Sequence, residues 1–152
     1  MTALGPRHKL AAMKVACASC STQNRLPAAR LHERARCAAC KAPLLPVSKP
    51  IAVTSPEDFD ELVRDSKAPV LVDFWAAWCG PCRAVAPELE KLAAERSGSA
   101  VVAKVDTEAQ PELSARFGIR SIPTLVLFRS GREANRISGA MSASAMASQL
   151  GL

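Results

Sequence analysis

The 152-residue chain contains no tyrosine, and its aromatic content is limited to four phenylalanines and two tryptophans. It also lacks any apolar stretch of about 18 residues, the length that a helix needs to cross a bilayer. The first 14 residues carry scattered basic side chains, but not the apolar core of about seven or more residues that a secretion signal requires. We therefore expect a cytoplasmic protein that makes no membrane contact.

Acidic residues are scarce in the first third of the chain. Residues 1–50 contain nine Lys or Arg and a single acidic residue, Glu33, whereas residues 51–152 contain eleven basic and thirteen acidic residues. Residues 41–50 hold three prolines, which disfavour a helix and favour an extended linker. The predicted organisation, in chain order, is a disordered extension (1–13), a small module (14–45), a linker (46–50) and a larger domain (51–152).

Four of the six cysteines lie in the small module as two Cys-x2-Cys pairs with sixteen residues between them: Cys17, Cys20, Cys37 and Cys40. Two residues between thiolates allow a tight turn to direct both sulfurs at one ion, so the spacing predicts one structural Zn²⁺. The alternatives are two redox dithiols or crossed disulfides, and a reducing cytoplasm disfavours disulfides. Ser21 and Lys41 stand where such turns often have glycine in a left-handed conformation, so we expect slight strain.

The basic residues of the small module have two interpretations. They screen the zinc thiolates, or they contact an anionic partner such as nucleic acid or an acidic protein. No aromatic residue lies among them, so bases would find no stacking platform and nucleic-acid binding is disfavoured. The alternative function that this surface supports is a zinc-dependent redox switch or partner-binding protein.

Large apolar residues are few in the small module, chiefly Leu26, Leu31, Leu44 and Leu45. A unit of this size buries too little surface to fold on hydrophobic contacts alone. We expect zinc coordination to supply that stability, so that a chelator, or oxidation of the thiolates, unfolds this module alone. The larger domain should fold without it.

The larger domain is predicted to alternate strands and helices. A short strand opens it, and Ser55 followed by Pro56 is typical of a helix N-terminus. The run APVLVDFWA, residues 68–76, is apolar over the length of a strand, the pattern of a strand covered on both faces. A helix from about Gly80 to Arg96 follows, with a kink expected at Pro87.

After this helix the sequence predicts a strand over residues 99–106, a short helix ended by Gly118, a hairpin that turns at Ser130 and Gly131, and a final helix over residues 142–150. A hairpin joins antiparallel strands, whereas a strand–helix–strand order joins parallel ones. The predicted fold is therefore α/β, with a mixed central sheet flanked by helices.

The two remaining cysteines, Cys79 and Cys82, lie where a predicted strand is followed by a helix. Cys79 should lie at the helix N-terminus, where free backbone N–H groups and the helix dipole stabilise a thiolate. Cys82, one turn further on, can reach the same sulfur from a more buried position. An exposed attacking thiol and a sheltered second thiol suit thiol–disulfide exchange, whereas a metal site would need two more ligands than this domain offers.

The stretch VLVDFWAAWCGPCRAVAP resembles the active-site segment of thioredoxins, and the similarity continues through VAKVD, FGIRSIPTL, LFRSGR and ISGA. It covers about residues 51–152. The small module, including the NRLP after its first cysteine pair, resembles the zinc-binding extension of the thioredoxin-2 kind of bacterial thioredoxins. Phe117 stands where tyrosine is common, and Lys41 where glycine is usual. The resemblance implies a thioredoxin fold preceded by a zinc-ribbon-like module.

Asp73 interrupts an apolar strand, and burial there should raise the pKa of its carboxyl group, which suits it to exchange a proton with Cys82. The alternative is a solvated aspartate on an edge strand. Lys104 is a neighbour of Asp73 by resemblance, or else an ordinary surface lysine. The resemblance also implies that the peptide bond before Pro123 is cis and that the backbone of Ile122 is free to pair with an extended substrate segment.

The resemblance implies a monomeric protein-disulfide reductase that uses a Cys-Gly-Pro-Cys dithiol in redox homeostasis and oxidative stress. Cys79 attacks a substrate disulfide, and Cys82 resolves the mixed disulfide with help from Asp73. Disulfide-containing proteins are the implied substrates and an NADPH-dependent thioredoxin reductase the implied electron donor, with no organic cofactor. The residues expected to support the dithiol or bind substrate are Trp78, Gly80, Pro81, Lys104, Ile122, Pro123 and Gly139. Trp75 is expected in the core.

Overall fold

The computed structural model describes residues 13–152, so residues 1–12 of the predicted extension lie outside the described residues. Met13, which the sequence assigns to that extension, is instead the buried first residue of β1 (Met13–Ala16). Within the described part of the chain, no helix has both the length and the apolar character to cross a membrane.

Two antiparallel hairpins form the small module. They are β1 with β2 (Gln23–Leu26) and β3 (Ala35–Arg36) with β4 (Pro43–Leu45), and a short 3-10 helix, Ala28–Arg30, lies between them in sequence. Each hairpin turn carries one Cys-x2-Cys pair. Ser21 and Lys41 follow these pairs with φ angles of 66° and 67°. Residues with a side chain adopt this left-handed conformation at a cost of about 1 kcal/mol or more, which is the strain that the missing glycines predict.

The larger domain contains five strands and four helices among the described residues. In chain order they are β5 (Ile51–Ala52), α1 (Pro56–Asp65), β6 (Val70–Trp75), α2 (Gly80–Glu95), β7 (Val101–Asp106), α3 (Pro111–Arg116), β8 (Thr124–Arg129), β9 (Arg132–Ser138) and α4 (Ala143–Leu150). The strands form one sheet in the order β5-β7-β6-β8-β9. β5, β7 and β6 run parallel, whereas β8 is antiparallel to both β6 and β9, so the predicted mixed sheet is confirmed.

Local sequence signals explain where these elements begin and end. The Ser55 hydroxyl accepts a hydrogen bond from the Asp58 backbone N–H at 3.1 Å, and Pro56 is the first residue of α1. Ser142 caps α4 in the same way. α2 continues past Pro87 and ends at Glu95, one residue before the predicted end. Short polar side chains at these positions satisfy backbone N–H groups that the first turn of a helix leaves free.

The central strand β6 is covered on both faces, as its apolar run predicts. Val70, Val72 and Phe74 pack in one core cluster with residues of α1 and α3, whereas Leu71 packs in a second cluster with residues of α2 and α4. Side chains alternate between the two faces of a strand. Asp73 therefore points toward the face that α2 covers, and α2 carries Cys82.

One apolar core runs through both units of the chain. Val15 and Leu31 of the small module belong to the same buried cluster as Ile51, Phe59 and Leu62 of the larger domain. The sequence predicts that the small module is a separate unit with little apolar core of its own. The structure shows that its apolar side chains instead extend the core of the larger domain, so packing joins the two units across the predicted linker.

A hydrogen bond between the units adds to this packing. The backbone N–H of Ala28, at the start of the 3-10 helix, donates to the Glu61 carboxylate on α1 at 3.0 Å. Ala28 is itself buried. Burial raises the pKa of Glu61, and the hydrogen bond from Ala28 opposes that rise. The small module is therefore held against α1 by a polar contact as well as by apolar ones.

Candidate active site and metal centre

Cys79 and Cys82 lie at the N-terminus of α2 and form a disulfide, with their Cα atoms 5.2 Å apart. Cys79 is the residue that caps the helix, and its sulfur accepts a hydrogen bond from the Cys82 backbone N–H at 3.1 Å. A sulfur in this position faces the positive end of the helix dipole. The reduced form of Cys79 would therefore be stabilised as a thiolate.

The expected difference in exposure between the two cysteines is absent from the oxidised form. Cys79 is 4% exposed and Cys82 is 3% exposed. The Cys79 sulfur also lies 3.7 Å from the carbonyl oxygen of Ile122, which helps to cover it. Both sulfurs of the disulfide are therefore sheltered from solvent.

Asp73 is a buried carboxyl group on the central strand of the sheet. It is 1% exposed, and neither of its side-chain oxygens has a hydrogen-bond partner among the described residues. Burial raises its pKa from an ordinary value of 3.8 to about 7, and the positive charge of Lys104 opposes this rise. β6 lies between β7 and β8, so the edge-strand alternative is excluded.

Lys104 is the partner of Asp73 in the parallel register between β6 and β7. Its Nζ lies 4.8 Å from the centroid of the Trp75 ring, a cation–π distance. Val101, Ala103 and Val105 belong to the cluster on the other face, so alternation directs Lys104 to the same face as Asp73. Lys104 is therefore a neighbour of Asp73, as the resemblance implies. Its side chain also packs on the half-buried Trp75.

The segment before β8 faces the dithiol. The peptide bond between Ile122 and Pro123 is cis, as the resemblance implies. The Pro123 carbonyl accepts a hydrogen bond from the Gly139 backbone N–H at 2.9 Å. Gly139 has a φ of 96°, a conformation that residues with a Cβ atom rarely adopt. These contacts attach the loop that carries Ile122 and Pro123 to the end of β9.

Trp78 borders the site and is 68% exposed, the largest exposed apolar side chain of the described residues. Its indole N–H donates to the Glu108 carboxylate at 3.3 Å. Gly80 and Pro81 form the exposed first turn of α2 beside it. Glu108 could not be predicted from the sequence, because only the folded chain brings the loop after β7 next to Trp78.

The four remaining cysteines converge at the tips of the two hairpins. Their sulfurs all lie within 4.8 Å of one another, with Cys17 and Cys40 separated by 3.6 Å and Cys20 and Cys37 by 3.7 Å. A tetrahedron with Zn–S bonds of about 2.3 Å has sulfurs about 3.8 Å apart. The four thiols therefore fit one tetrahedral ion of the zinc class.

Asn24 is a buried residue of the small module that is not among the predicted site residues. Its side-chain N–H₂ group lies 3.6 Å from the Cys37 sulfur, and its side-chain oxygen accepts a hydrogen bond from the Ala38 backbone N–H at 3.0 Å. The Cys40 backbone N–H and then Asn24 lower the pKa of Cys37 to about 6. Asn24 thus supports a thiolate ligand, and its position in the NRLP segment after the first cysteine pair is the signal that could have identified it.

The sheet and the dithiol at the start of α2 define a protein of the thiol–disulfide exchange class. Residues 50–151 match the family model described as Thioredoxin, and residues 16–42 match a zinc-ribbon model described as Thioredoxin 2, N-terminal. The chain therefore belongs to the thioredoxin family and carries an N-terminal zinc-ribbon module.

Individual relatives agree with the family models. Thioredoxin C-3 from Corynebacterium nephridii is 45% identical over 129 residues, which cover 85% of this chain and 87% of that protein. A thioredoxin from Mycobacterium tuberculosis is 50% identical over 88 residues, 58% of this chain and 76% of that one. A solved mutant thioredoxin from Halobacterium salinarum superposes with a TM-score of 0.61 at 34% identity, and covers 69% of this chain and 94% of its own. Together these matches support protein-disulfide reductase activity through thiol–disulfide exchange.

Proposed function

We propose that Cys79 is the nucleophile and Cys82 the resolving thiol of this reductase. The observation that carries the proposal is the Cys79–Cys82 pair at the N-terminus of α2, on the face of the sheet that also holds the buried Asp73. In the reduced protein the Cys79 thiolate attacks one sulfur of a substrate disulfide. A bond forms between Cys79 and that sulfur, and the other substrate sulfur leaves as a thiolate and takes a proton from solvent.

The second half of the cycle uses Cys82. The Asp73 carboxylate accepts the Cys82 proton, and the resulting thiolate attacks the Cys79 sulfur. The Cys79–Cys82 disulfide forms, and the second substrate sulfur is released and protonated. Two electrons pass from the dithiol to the substrate. One product thiol takes its proton from solvent, and the other takes the proton that Cys82 gave to Asp73. A carboxyl group whose pKa is about 7 suits this role, because both of its protonation states are populated near neutral pH.

We further propose that substrates are proteins with accessible disulfides, held along the backbone of Ile122 beside the Trp78 side chain. Ile122 is half-buried next to the Cys79 sulfur, and Trp78 supplies exposed apolar surface. An extended segment could pair with this backbone as an added strand does. Gly80, Pro81, Pro123 and Gly139 shape the two loops, and Lys104 lies beside Asp73. The oxidised dithiol then requires an external reductant, for which the family implies a thioredoxin reductase.

The four-cysteine site is proposed to hold one structural Zn²⁺. Cys17, Cys20, Cys37 and Cys40 would be its four ligands, and the sulfur separations support a tetrahedral ion. Bound there, the metal ties the tips of the two hairpins together and stabilises the small module. Peroxide would release it by oxidising the thiolates, which makes the site redox-sensitive. Metal analysis of the reduced protein should give one zinc per chain, and none after all four cysteines are changed to serine.

Reduction of insulin by the dithiothreitol-reduced protein tests the proposed reaction. The wild-type protein should reduce insulin disulfides, and Cys79→Ser should lose this activity because Cys79 is the sulfur at the capping position of α2 and Cys82 lies one turn further in. Cys20→Ser is the matched control, since it also removes one cysteine but leaves the dithiol intact. Equal rates for wild type and Cys79→Ser would overturn the proposal.

A further inference from the structure

A cavity of about 330 Å³ lies between the small module and the edge of the sheet, and the dithiol chemistry does not use it. Its lining includes residues of β1, β2, β4, the linker and β5. Its volume is within the range of pockets that hold small ligands or short segments of another chain.

The lining combines an apolar floor with a basic rim. The floor residues Val15, Leu44 and Val47 are buried, whereas Lys14 and Lys49 at the rim are exposed. No acidic residue lines the cavity in the described part of the chain. Neither lysine forms an ion pair or a side-chain hydrogen bond within residues 13–152, so both charges are available to a partner.

One carboxylate lies nearby without lining the cavity. The rim residue Thr54 donates a hydrogen bond from its hydroxyl to Asp58 at 3.2 Å. Asp58 also belongs to the first turn of α1, where the positive end of the helix dipole offsets its charge. The two unpaired lysines therefore dominate the charge at the cavity mouth.

Backbone geometry adds a third feature. Among residues 13–152, β5 is the edge strand of the five-stranded sheet and pairs only with β7, and β1 pairs only with β2. Both strands contribute to the cavity wall. The outward edge of such a strand offers backbone N–H and C=O groups to an extended segment of another chain.

We propose that this cavity binds an extended, acidic peptide segment of a partner protein. Apolar side chains of the segment would cover Val15, Leu44 and Val47, and its carboxylates would face Lys14 and Lys49. Charge complementarity selects this occupant, because carboxylates are the groups that the exposed Lys14 and Lys49 above an apolar floor attract. The site is separate from the dithiol and binds in both of its redox states.

Fluorescence anisotropy with the 152-residue protein tests the proposal. The probe is a fluorescein-labelled peptide, Asp-Leu-Val-Glu-Leu-Asp, and its comparison is the same peptide with lysine at the three acidic positions. The acidic peptide should bind, the basic one should not, and binding should weaken as salt rises because the ion pairs are exposed. Amide NMR shifts on adding the acidic peptide should change at Val15, Leu44 and Ile51 rather than around Cys79.

Charge reversal identifies the site. The double variant Lys14→Glu/Lys49→Glu should weaken binding by about tenfold or more, because like charges then face each other. Lys67→Glu changes an exposed lysine outside the cavity and should leave affinity within about twofold, because it removes no contact with the peptide. Insulin reduction by the double variant should equal that of wild type, which shows that it is folded.

Several outcomes would overturn the proposal. They are equal affinity for both peptides, unchanged affinity in the double variant, and shifts confined to the loop around Cys79. Binding that appears only after residues 1–12 are deleted would assign the cavity to the protein's own N-terminal segment. A concentration-dependent dimer in sedimentation, with shifts at the same amides and no peptide present, would assign it to a second copy.

Discussion

At the scale of single residues, the site combines a sulfur that favours negative charge with a carboxyl group that resists it. The helix N-terminus stabilises an anion at Cys79, whereas burial without hydrogen-bond partners disfavours the carboxylate of Asp73. The two effects have different physical origins, one from oriented backbone dipoles and one from desolvation. In the proposed cycle the first effect favours the attacking Cys79 thiolate, and the second makes Asp73 a proton acceptor for Cys82.

Changing Asp73 to asparagine should stabilise the protein in a pH-dependent way. The pKa of Asp73 is about 7 in the folded chain and near 3.8 when exposed, so between these values the native state keeps a proton that the unfolded state has lost. Stability therefore falls as pH rises from about 4 to 7, and the full cost, at most about 4 kcal/mol, applies above pH 7. Asp73→Asn should show this gain in urea unfolding at pH 8.

The same comparison at pH 4 is the control for this prediction. There Asp73 is protonated in the folded state, so the gain seen at pH 8 should be nearly absent. A gain that is equal at both pH values would mean that the substitution acts through packing. A loss that grows with pH would contradict the raised pKa.

The sequence predicts the residues of the site that carry chemistry better than those that support them. Cys79 and Cys82 can be recognised because they form a Cys-x2-Cys pair where a strand is followed by a helix. Asp73 can be recognised because it is a charged residue within an apolar strand. Asn24 and Glu108 do not stand out, because a buried asparagine and a surface glutamate gain meaning only from what they contact. Those contacts join residues that are 13 and 30 positions apart.

At the scale of elements, helix starts and the hairpin turn are predictable because they are local. Ser55 and Ser142 cap their helices with their own hydroxyl groups. The turn at Ser130 and Gly131 has positive φ at both residues, 53° and 80°, as a two-residue hairpin turn requires. The packing of the small module on α1 is not predictable in this way. Its apolar residues occur singly or in short runs, and such runs could pack against many different helices or strands.

The hydrogen bond from the Ala28 N–H to Glu61 should make a measurable contribution to the attachment of the small module. Glu61→Ala leaves the N–H of the buried Ala28 without this acceptor, and should lower the free energy of unfolding by about 1–3 kcal/mol. Glu61→Gln keeps an acceptor oxygen and should lose less. Urea unfolding of both variants at pH 7 measures the difference.

Glu90→Ala on α2 is the matched control for this loss. Glu90 is exposed, so its removal should change stability by no more than about 0.5 kcal/mol. If Glu61→Ala and Glu90→Ala cost the same, the Ala28 contact would contribute nothing to stability.

At the scale of the whole molecule, the two units share a core rather than a flexible joint. The sequence predicts that metal loss unfolds the small module alone. Since Met13, Leu31 and Leu45 pack in one cluster with Phe59 and Leu62, unfolding that module would also expose one face of the larger domain. The local sequence could not reveal this dependence, because it follows from contacts across the predicted linker.

Chelation should therefore lower the thermal stability of the entire chain. The untreated protein should unfold in a single calorimetric transition, and prolonged treatment with a strong zinc chelator should move that transition to lower temperature. Insulin reduction at room temperature should persist, because the dithiol lies on α2 and the small module contacts α1. Release of the zinc without any change in the transition would contradict the shared core, and the Cys20→Ser variant should mimic the chelated protein.

Trapping the mixed disulfide would identify which sulfur attacks the substrate, and Cys79 is expected to be that sulfur. Reduced Cys82→Ser protein lacks the resolving thiol, so incubation with insulin should leave a covalent adduct that mass spectrometry of the digest locates at Cys79. The double variant Cys79→Ser/Cys82→Ser should form no such adduct. An adduct located at Cys17, Cys20, Cys37 or Cys40, or none at Cys79 while the wild type still reduces insulin, would contradict that expectation.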